Sequence, residues 1–337
     1  MKRRALLLGA LLMPTAAHAQ NKTPRKTPRK KQAAKKPPPP PPPPKEAKTQ
    51  LVAFNASPFP YRGLIPGTGK QFLDARDGPR RGHTNLRGDI HWEDPTYSDR
   101  RSLLYLPPGF DPVRPVLIVL YLHGNGATLE RDVVVRQAVP RQVAESGLNI
   151  ALVAPQLAVD AGDSSAGNFW RGGHFAKYID EAAERLMRLS GDRRAGRALN
   201  LAPVVIVAYS GGYLSAAYAL ERGGANHRIK GVILMDALYG EEDKFAAWFA
   251  ARRRQVFLLS AYTDSTREEN ATLQDLLAKK RIPFTRSLPR TLSPGTAAFV
   301  AGGGLDMHGD FVTHAWQPDP LEKALSMIPG YKPVRAR

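Results

Sequence analysis

The sequence predicts an α/β fold with a mainly parallel sheet and helices on both faces. Three observations predict it. From about residue 100 onward, apolar runs of strand length alternate with segments of helical spacing, and repeated βα units of this length build parallel sheets. A β-branched run, Val204-Val205-Ile206-Val207-Ala208, ends abruptly in Tyr209-Ser210-Gly211-Gly212 and leads at once into a helical pattern over 213–221. Ser210, Asp236, Asp264 and the pair His123-Gly124 all fall just past predicted strands, where open parallel sheets place their reacting groups.

The elements follow in order. Residues 51–98 are rich in turn formers and give no clear pattern. Residues 102–106 read as a strand stopped by Pro107-Pro108-Gly109. Residues 116–122 are continuously apolar, as a central strand buried on both faces requires. A helical pattern covers 129–146, and a strand over 149–154 ends at Pro155. Residues 175–189 place Ile179, Ala182, Ala183, Leu186 and Leu189 on one side of a helix. After the 204–209 strand and its helix come a strand over 231–235, a helix over 245–252, a strand over 256–261, a helix over 268–280 and a last strand over 284–288. The Gly172-Gly173-His174 turn reads as the start of a helix.

The chain of 337 residues divides unevenly. Residues 1–19 carry a basic start (Lys2, Arg3, Arg4), a short apolar run and Ala17-His18-Ala19, the three regions of an export signal in the right order. That apolar run is too short to span a bilayer, so no transmembrane segment is expected in the mature chain. Residues 20–50 read as a Lys/Pro-rich linker. Thr-Pro-Arg-Lys occurs twice in tandem, and eight prolines, Pro37 to Pro44, favour an extended polyproline II spacer. Residues 51–337 form the folded domain.

Charge follows the same division. The formal net charge is +19, but residues 1–50 hold 13 Lys and Arg against one acidic residue, so only +7 belongs to the rest. The basic balance therefore predicts no nucleic-acid partner. The tail of an exported chain instead fits contact with anionic envelope material, or a solvated spacer. There is no cysteine, which excludes disulfides, a thiol nucleophile and thiolate metal ligands. Several carboxylates (Asp160, Asp163, Glu241, Glu242, Asp243) lie near strand ends, but no metal-ligand spacing accompanies them, and no cofactor is expected.

The strand ends together suggest nucleophilic catalysis. A serine on a sharp turn between strand and helix, with small residues two before and two after it, has an exposed hydroxyl on a strained backbone. The pattern is A-x-S-x-G, with Ala208 at the first small position. The His123-Gly124-Asn125-Gly126 turn offers backbone N–H groups, and amides at 124–126 together with that of Gly211 are candidate donors to an oxyanion. His123 itself reads as structural. The base is expected to be His308, in a glycine-rich loop free to present it above the sheet. His314, six residues later in a segment that reads as helical, is the alternative. Two carboxylates compete as partner of the imidazole: Asp264, after the 256–261 strand, is favoured, and Asp236, after the strand before it, is the alternative. Trp170, Phe175, Tyr213, Tyr239 and Trp316 are candidates for an acyl pocket.

Over about residues 100–328 the chain resembles the α/β-hydrolase superfamily, in the order His-Gly loop, serine turn, acid, histidine. The resemblance implies Ser210 as nucleophile, His308 as base, Asp264 or Asp236 as acid, and an oxyanion hole from the 124–126 loop and Gly211. Ala208 departs from the more common glycine. Tyr105-Leu106-Pro107-Pro108-Gly109-Phe110 is similar to the segment ahead of the His-Gly strand in secreted esterases and polyester depolymerases. The implied activity is a serine hydrolase acting on a small or polymeric carboxylic ester in the periplasm or outside the cell. An envelope acyltransferase, or a non-catalytic envelope-binding protein of the same fold, are the alternatives.

Overall fold

The computed structural model describes residues 46–332. The expected export signal and residues 20–45 of the expected linker lie outside the described residues. The strands are β1 (Lys48–Ala53), β2 (Ala75–Asp77), β3 (Arg80–Thr84), β4 (Ile90–Trp92), β5 (Arg101–Leu106), β6 (Leu117–Leu122), β7 (Ile150–Pro155), β8 (Val204–Tyr209), β9 (Ile229–Met235), β10 (Phe257–Tyr262) and β11 (Ala297–Ala301). The α-helices are α1 (Glu93–Thr96), α2 (Val139–Glu145), α3 (His174–Ser190), α4 (Ala195–Asn200), α5 (Tyr213–Arg222), α6 (Glu242–Arg252), α7 (Arg267–Lys279) and α8 (Pro320–Ser326). No helix among the described residues is long and apolar enough to cross a membrane.

Eight strands form one sheet in the order β1-β5-β7-β6-β8-β9-β10-β11. β5 is antiparallel to both neighbours, whereas β6 to β11 pair in parallel. Successive side chains on a strand face opposite ways, and both faces are apolar here. On β8, Val204, Ile206 and Ala208 enter one core with helices α3 to α7; Val205, Val207 and Tyr209 enter a second core with α2 and α8. That double burial is why the central strands read as unbroken apolar runs.

The differences from the sequence reading have local causes. β1 begins at Lys48, inside the expected linker, and pairs with β5 despite its mixed polarity because it is an edge strand. The expected helix over 129–146 is two pieces. A π-helical segment, Leu129–Arg136, is followed by α2, with Ala138 between them at φ 48° and Pro140 in the first turn of α2. Proline has no N–H to continue the earlier helix. The expected last strand over 284–288 makes a single bridge, Thr285 to Ala298, and the final strand is Ala297–Ala301. Its alanines and the glycines after it gave little strand signal. The segment 51–98 holds a separate three-stranded sheet, β2-β3-β4.

Candidate active site

β8 delivers Tyr209 to the edge of the sheet, and the chain then turns through a 3₁₀ segment, Ser210–Gly212, into α5. Ser210 has φ 50°, in the left-handed region that side chains rarely adopt. A turn this tight forces close approach. A Cβ on Gly212 would sit 2.4 Å from the carbonyl oxygen of Leu122, and one on Gly124 would sit 2.8 Å from Cβ of Ser210. The second small position and the His-Gly turn therefore hold glycine for steric reasons, while Ala208, fully buried, fits the first.

The Ser210 hydroxyl lies 2.9 Å from Nε2 of His308. Nδ1 of the same ring lies 2.6 Å from Oδ2 of Asp236. A carboxylate only accepts, so Nδ1 carries the ring proton and Nε2 is left to accept from the serine. Asp236 directly follows β9, the neighbour of β8, and has φ 45°. Its carboxylate is fully buried and takes four further hydrogen bonds. Oδ1 accepts from Thr263 N (2.9 Å) and Thr266 Oγ1 (2.7 Å), and Oδ2 from Thr263 Oγ1 (2.7 Å) and Ser265 Oγ (2.9 Å). Burial alone pushes this carboxyl up, but the hydrogen bonds from His308, Thr263 and Thr266 override it and hold the group at about 2.

Asp264, the acid favoured by sequence, is not at the imidazole. It opens a 3₁₀ turn before α7, is exposed, and pairs with Arg267. The residues around it supply donors instead, since Thr263, Ser265 and Thr266 all hydrogen-bond Asp236. The physical reason is position: β9 is adjacent to the serine strand and β10 lies one strand further away. The T-D-S-T run was the available signal, because three hydroxyls flanking one carboxylate make the loop a source of donors. His308 sits in a 3₁₀ turn, Leu305–Asp310; the segment after it is not helical, and His314 is held by Asp310 and Pro318.

The oxyanion candidates separate. The amide of Gly126 donates to the carbonyl of Ala161 at 2.8 Å and is consumed. The Gly124 carbonyl accepts from Nδ1 of His123 at 2.8 Å. The amide of Asn125 has no protein acceptor among the described residues. Gly211 is the second residue of the 3₁₀ turn, where N–H groups lack an intrahelical partner. His123 is fully buried, and its Nε2 accepts from Leu157 N at 2.9 Å. Burial lowers its pKa to about 4.

Three supporting residues had no sequence signal for the roles they play. The Tyr209 hydroxyl donates to the carbonyl oxygen of His308 at 2.7 Å, and the two rings stack at 5.5 Å. Arg136 spans Asp132 Oδ1 (2.8 Å) and the carbonyl oxygen of Gly309 (2.9 Å), holding the histidine loop from the other side. Tyr239 was named only as a possible pocket residue. Its hydroxyl lies 3.0 Å from Ser265 Oγ and 3.2 Å from Nδ1 of His308. Of the other aromatic candidates, Trp170 and Phe175 are buried in the core. The five acidic residues do not gather: Asp160 pairs with Arg131 and Glu241 with Lys244, while Asp163 accepts from Tyr97.

Counted along the chain, the strands of the main sheet lie in the order 1-2-4-3-5-6-7-8 with the second antiparallel, and the serine turn follows the fifth. The chain has the α/β-hydrolase fold. No family model and no curated protein matches it. Solved structures of α/β hydrolases do. A mutant feruloyl esterase module from Clostridium thermocellum complexed with sinapinate is 14% identical, over 86% of this chain and 99% of that one, with TM-score 0.45. An S-formylglutathione hydrolase from Agrobacterium tumefaciens is 13% identical, over 75% and 97%, with TM-score 0.40. An α/β serine hydrolase without a lid from Xanthomonas campestris is 15% identical, over 74% and 93%, with TM-score 0.36. These are distant likenesses of overall fold, and the reading of this site rests on its own geometry.

Proposed function

We propose that this protein is an exported serine hydrolase that cleaves a carboxylic ester through Ser210, His308 and Asp236. The observation that carries the reading is the unbroken relay from Ser210 Oγ to His308 Nε2, at 2.9 Å, and from His308 Nδ1 to Asp236, at 2.6 Å. His308 removes the hydroxyl proton as Ser210 attacks the ester carbonyl. The tetrahedral oxyanion is met by the amides of Asn125 and Gly211. His308 then passes its proton to the departing alcohol, leaving Ser210 acylated. Water attacks the acyl-enzyme with the same base, and the carboxylic acid is released. Asp236 stays ionised throughout, fixes the ring tautomer and offsets the charge of the imidazolium.

Two features of the geometry support this reading over an inert fold. Ser210 holds a left-handed φ of 50°, a strained conformation of the kind that clusters at active sites. A buried carboxylate with five hydrogen bonds, one of them to a partly exposed histidine, is a costly arrangement for structure alone. The test is turnover of p-nitrophenyl esters from acetate to octanoate by the wild type, Ser210→Ala and His308→Ala. The reading predicts that each variant loses about 10⁴-fold or more in kcat while its melting temperature stays near that of the wild type. Full activity in Ser210→Ala overturns it.

A further inference from the structure

We infer that the edge of the sheet opposite Ser210 is an electrostatic docking surface for an anionic phospholipid bilayer. Six exposed cations lie there: Lys230, Arg253, Arg254, Lys279, Lys280 and Arg281. None has a carboxylate oxygen within 4.0 Å among the described residues. About half of the other basic side chains among the described residues differ in this respect. Arg101, Arg131, Arg141, Arg194 and Lys244 are all clamped by acids.

Topology gathers the six. Lys230 is the second residue of β9, and Arg253 and Arg254 lie between α6 and the start of β10. Lys279 ends α7, with Lys280 and Arg281 next in sequence. β9 and β10 are parallel neighbours, so their starts share one edge. A helix of 13 residues rises about 20 Å, as does a strand of six. α7 therefore leaves the C-terminal end of β10 and returns the chain to the starting edge. α6 and α7 also pack against the same core on the same face of the sheet. The acids nearby are few: Asp180 is taken by Arg228 and Asp192 by Arg194, while Asp275 lies one turn before Lys279. Cations at helix ends compensate the helix dipole, but two successive helices ending in runs of three exceed what that needs.

β1 is antiparallel to β5, and β5 is antiparallel to β7, so β1 starts at the same edge as the parallel strands. Lys48, its first residue, donates to the carbonyl oxygen of Ser190 at the end of α3, at 2.6 Å. The first residue of β1 thus lies at the same end of the sheet as the starts of β9 and β10, five strands from β9. The sequence before Lys48 holds 12 Lys and Arg against one Glu. The six cations sit at strand starts and helix ends on one side of the sheet, which suits a broad anionic surface. An anionic bilayer is a surface of that kind, a choice that rests on the proposed export of the chain. Each Lys or Arg near such a surface adds about 1 kcal/mol, or roughly fivefold in partitioning.

The test is co-sedimentation of the full chain with vesicles of phosphatidylglycerol and phosphatidylcholine (about 3:7) and with phosphatidylcholine alone. Binding to the anionic vesicles, absent with the neutral ones and released by salt, is the expected result. The variant R253E/R254E/K279E/K280E/R281E is expected to partition at least tenfold more weakly, with p-nitrophenyl butyrate turnover unchanged as the measure of intact folding. A tail variant, K22E/R25E/K26E/R29E/K30E, is expected to keep measurable binding. Edge-variant binding equal to wild type, loss of all binding in the tail variant, or preference of the wild type for duplex DNA or an acidic polysaccharide over the vesicles overturns the inference.

Discussion

Tyr209 donates its hydroxyl to the carbonyl oxygen of His308 at 2.7 Å. The residue before the candidate nucleophile thus holds the loop of the candidate base, and one strand end sets the distance between the two reacting groups. Burial pushes the Tyr209 phenol up to about 12, so it remains a donor throughout the working range of pH. Tyr209→Phe keeps the packing and removes this bond. The expected result is about a fivefold fall in kcat, corresponding to roughly 1 kcal/mol, with KM little changed. Steady-state kinetics on a short p-nitrophenyl ester checks it.

The two carboxylates make opposite predictions. Asp236→Asn replaces an acceptor that fixes the imidazole with a group that can present a donor to it. A loss of about 10³–10⁴ in kcat is expected, as when the wrong tautomer is enforced. Asp264→Asn removes only an exposed pair with Arg267, and surface pairs are worth about 0–1 kcal/mol. Its kcat is expected within about threefold of wild type. The same assay on both variants checks the assignment.

Tyr239 is expected to position His308 without entering the reaction. Its hydroxyl faces Nδ1 at 3.2 Å and Ser265 at 3.0 Å. Tyr239→Phe should lower kcat by a few-fold and shift the acid limb of the pH–rate profile. An unchanged profile with a raised KM would place the phenol in substrate binding instead. Full pH–rate curves for kcat and kcat/KM separate the two.

Acid should destabilise the fold in two separate windows. His123 is neutral and buried, with its pKa lowered from 6.5 to about 4. Its unfolded form therefore binds a proton that the native form does not, and stability falls as pH drops from 6.5 towards 4, by about 3 kcal/mol at most. Asp236 is depressed from 3.8 to about 2. Its contribution, about 2 kcal/mol, is present above 3.8 and is lost as pH falls through 2. Urea unfolding at pH 7, 5 and 4 checks the first window. His123→Gln should be less stable at pH 7 but show a flatter dependence between pH 7 and 4.

What the sequence shows most plainly is what burial on both faces makes regular. β6, β7 and β8 are fully buried apolar strands, so their limits read to within a residue or so from the apolar runs, and their alternation with helices predicts a parallel sheet. The serine turn and the late histidine were legible for a different reason, since each is punctuated by glycine. The acid was not. Asp236 and Asp264 both follow strands, and only the strand order puts one of them beside Ser210. The hydrogen bonds from Thr263, Ser265 and Thr266 also join residues about 30 positions apart from Asp236, a separation at which local pattern carries no information. The segment before residue 100 was opaque because its short, mixed-polarity strands lack a period to read.

The most direct test of the central claim is covalent labelling of the full chain with a fluorophosphonate, followed by mass spectrometry of the peptides. The account predicts one adduct, on Ser210, that forms at neutral pH and disappears in both Ser210→Ala and His308→Ala. No adduct on the wild type, or an adduct on another residue that persists in Ser210→Ala, would contradict it.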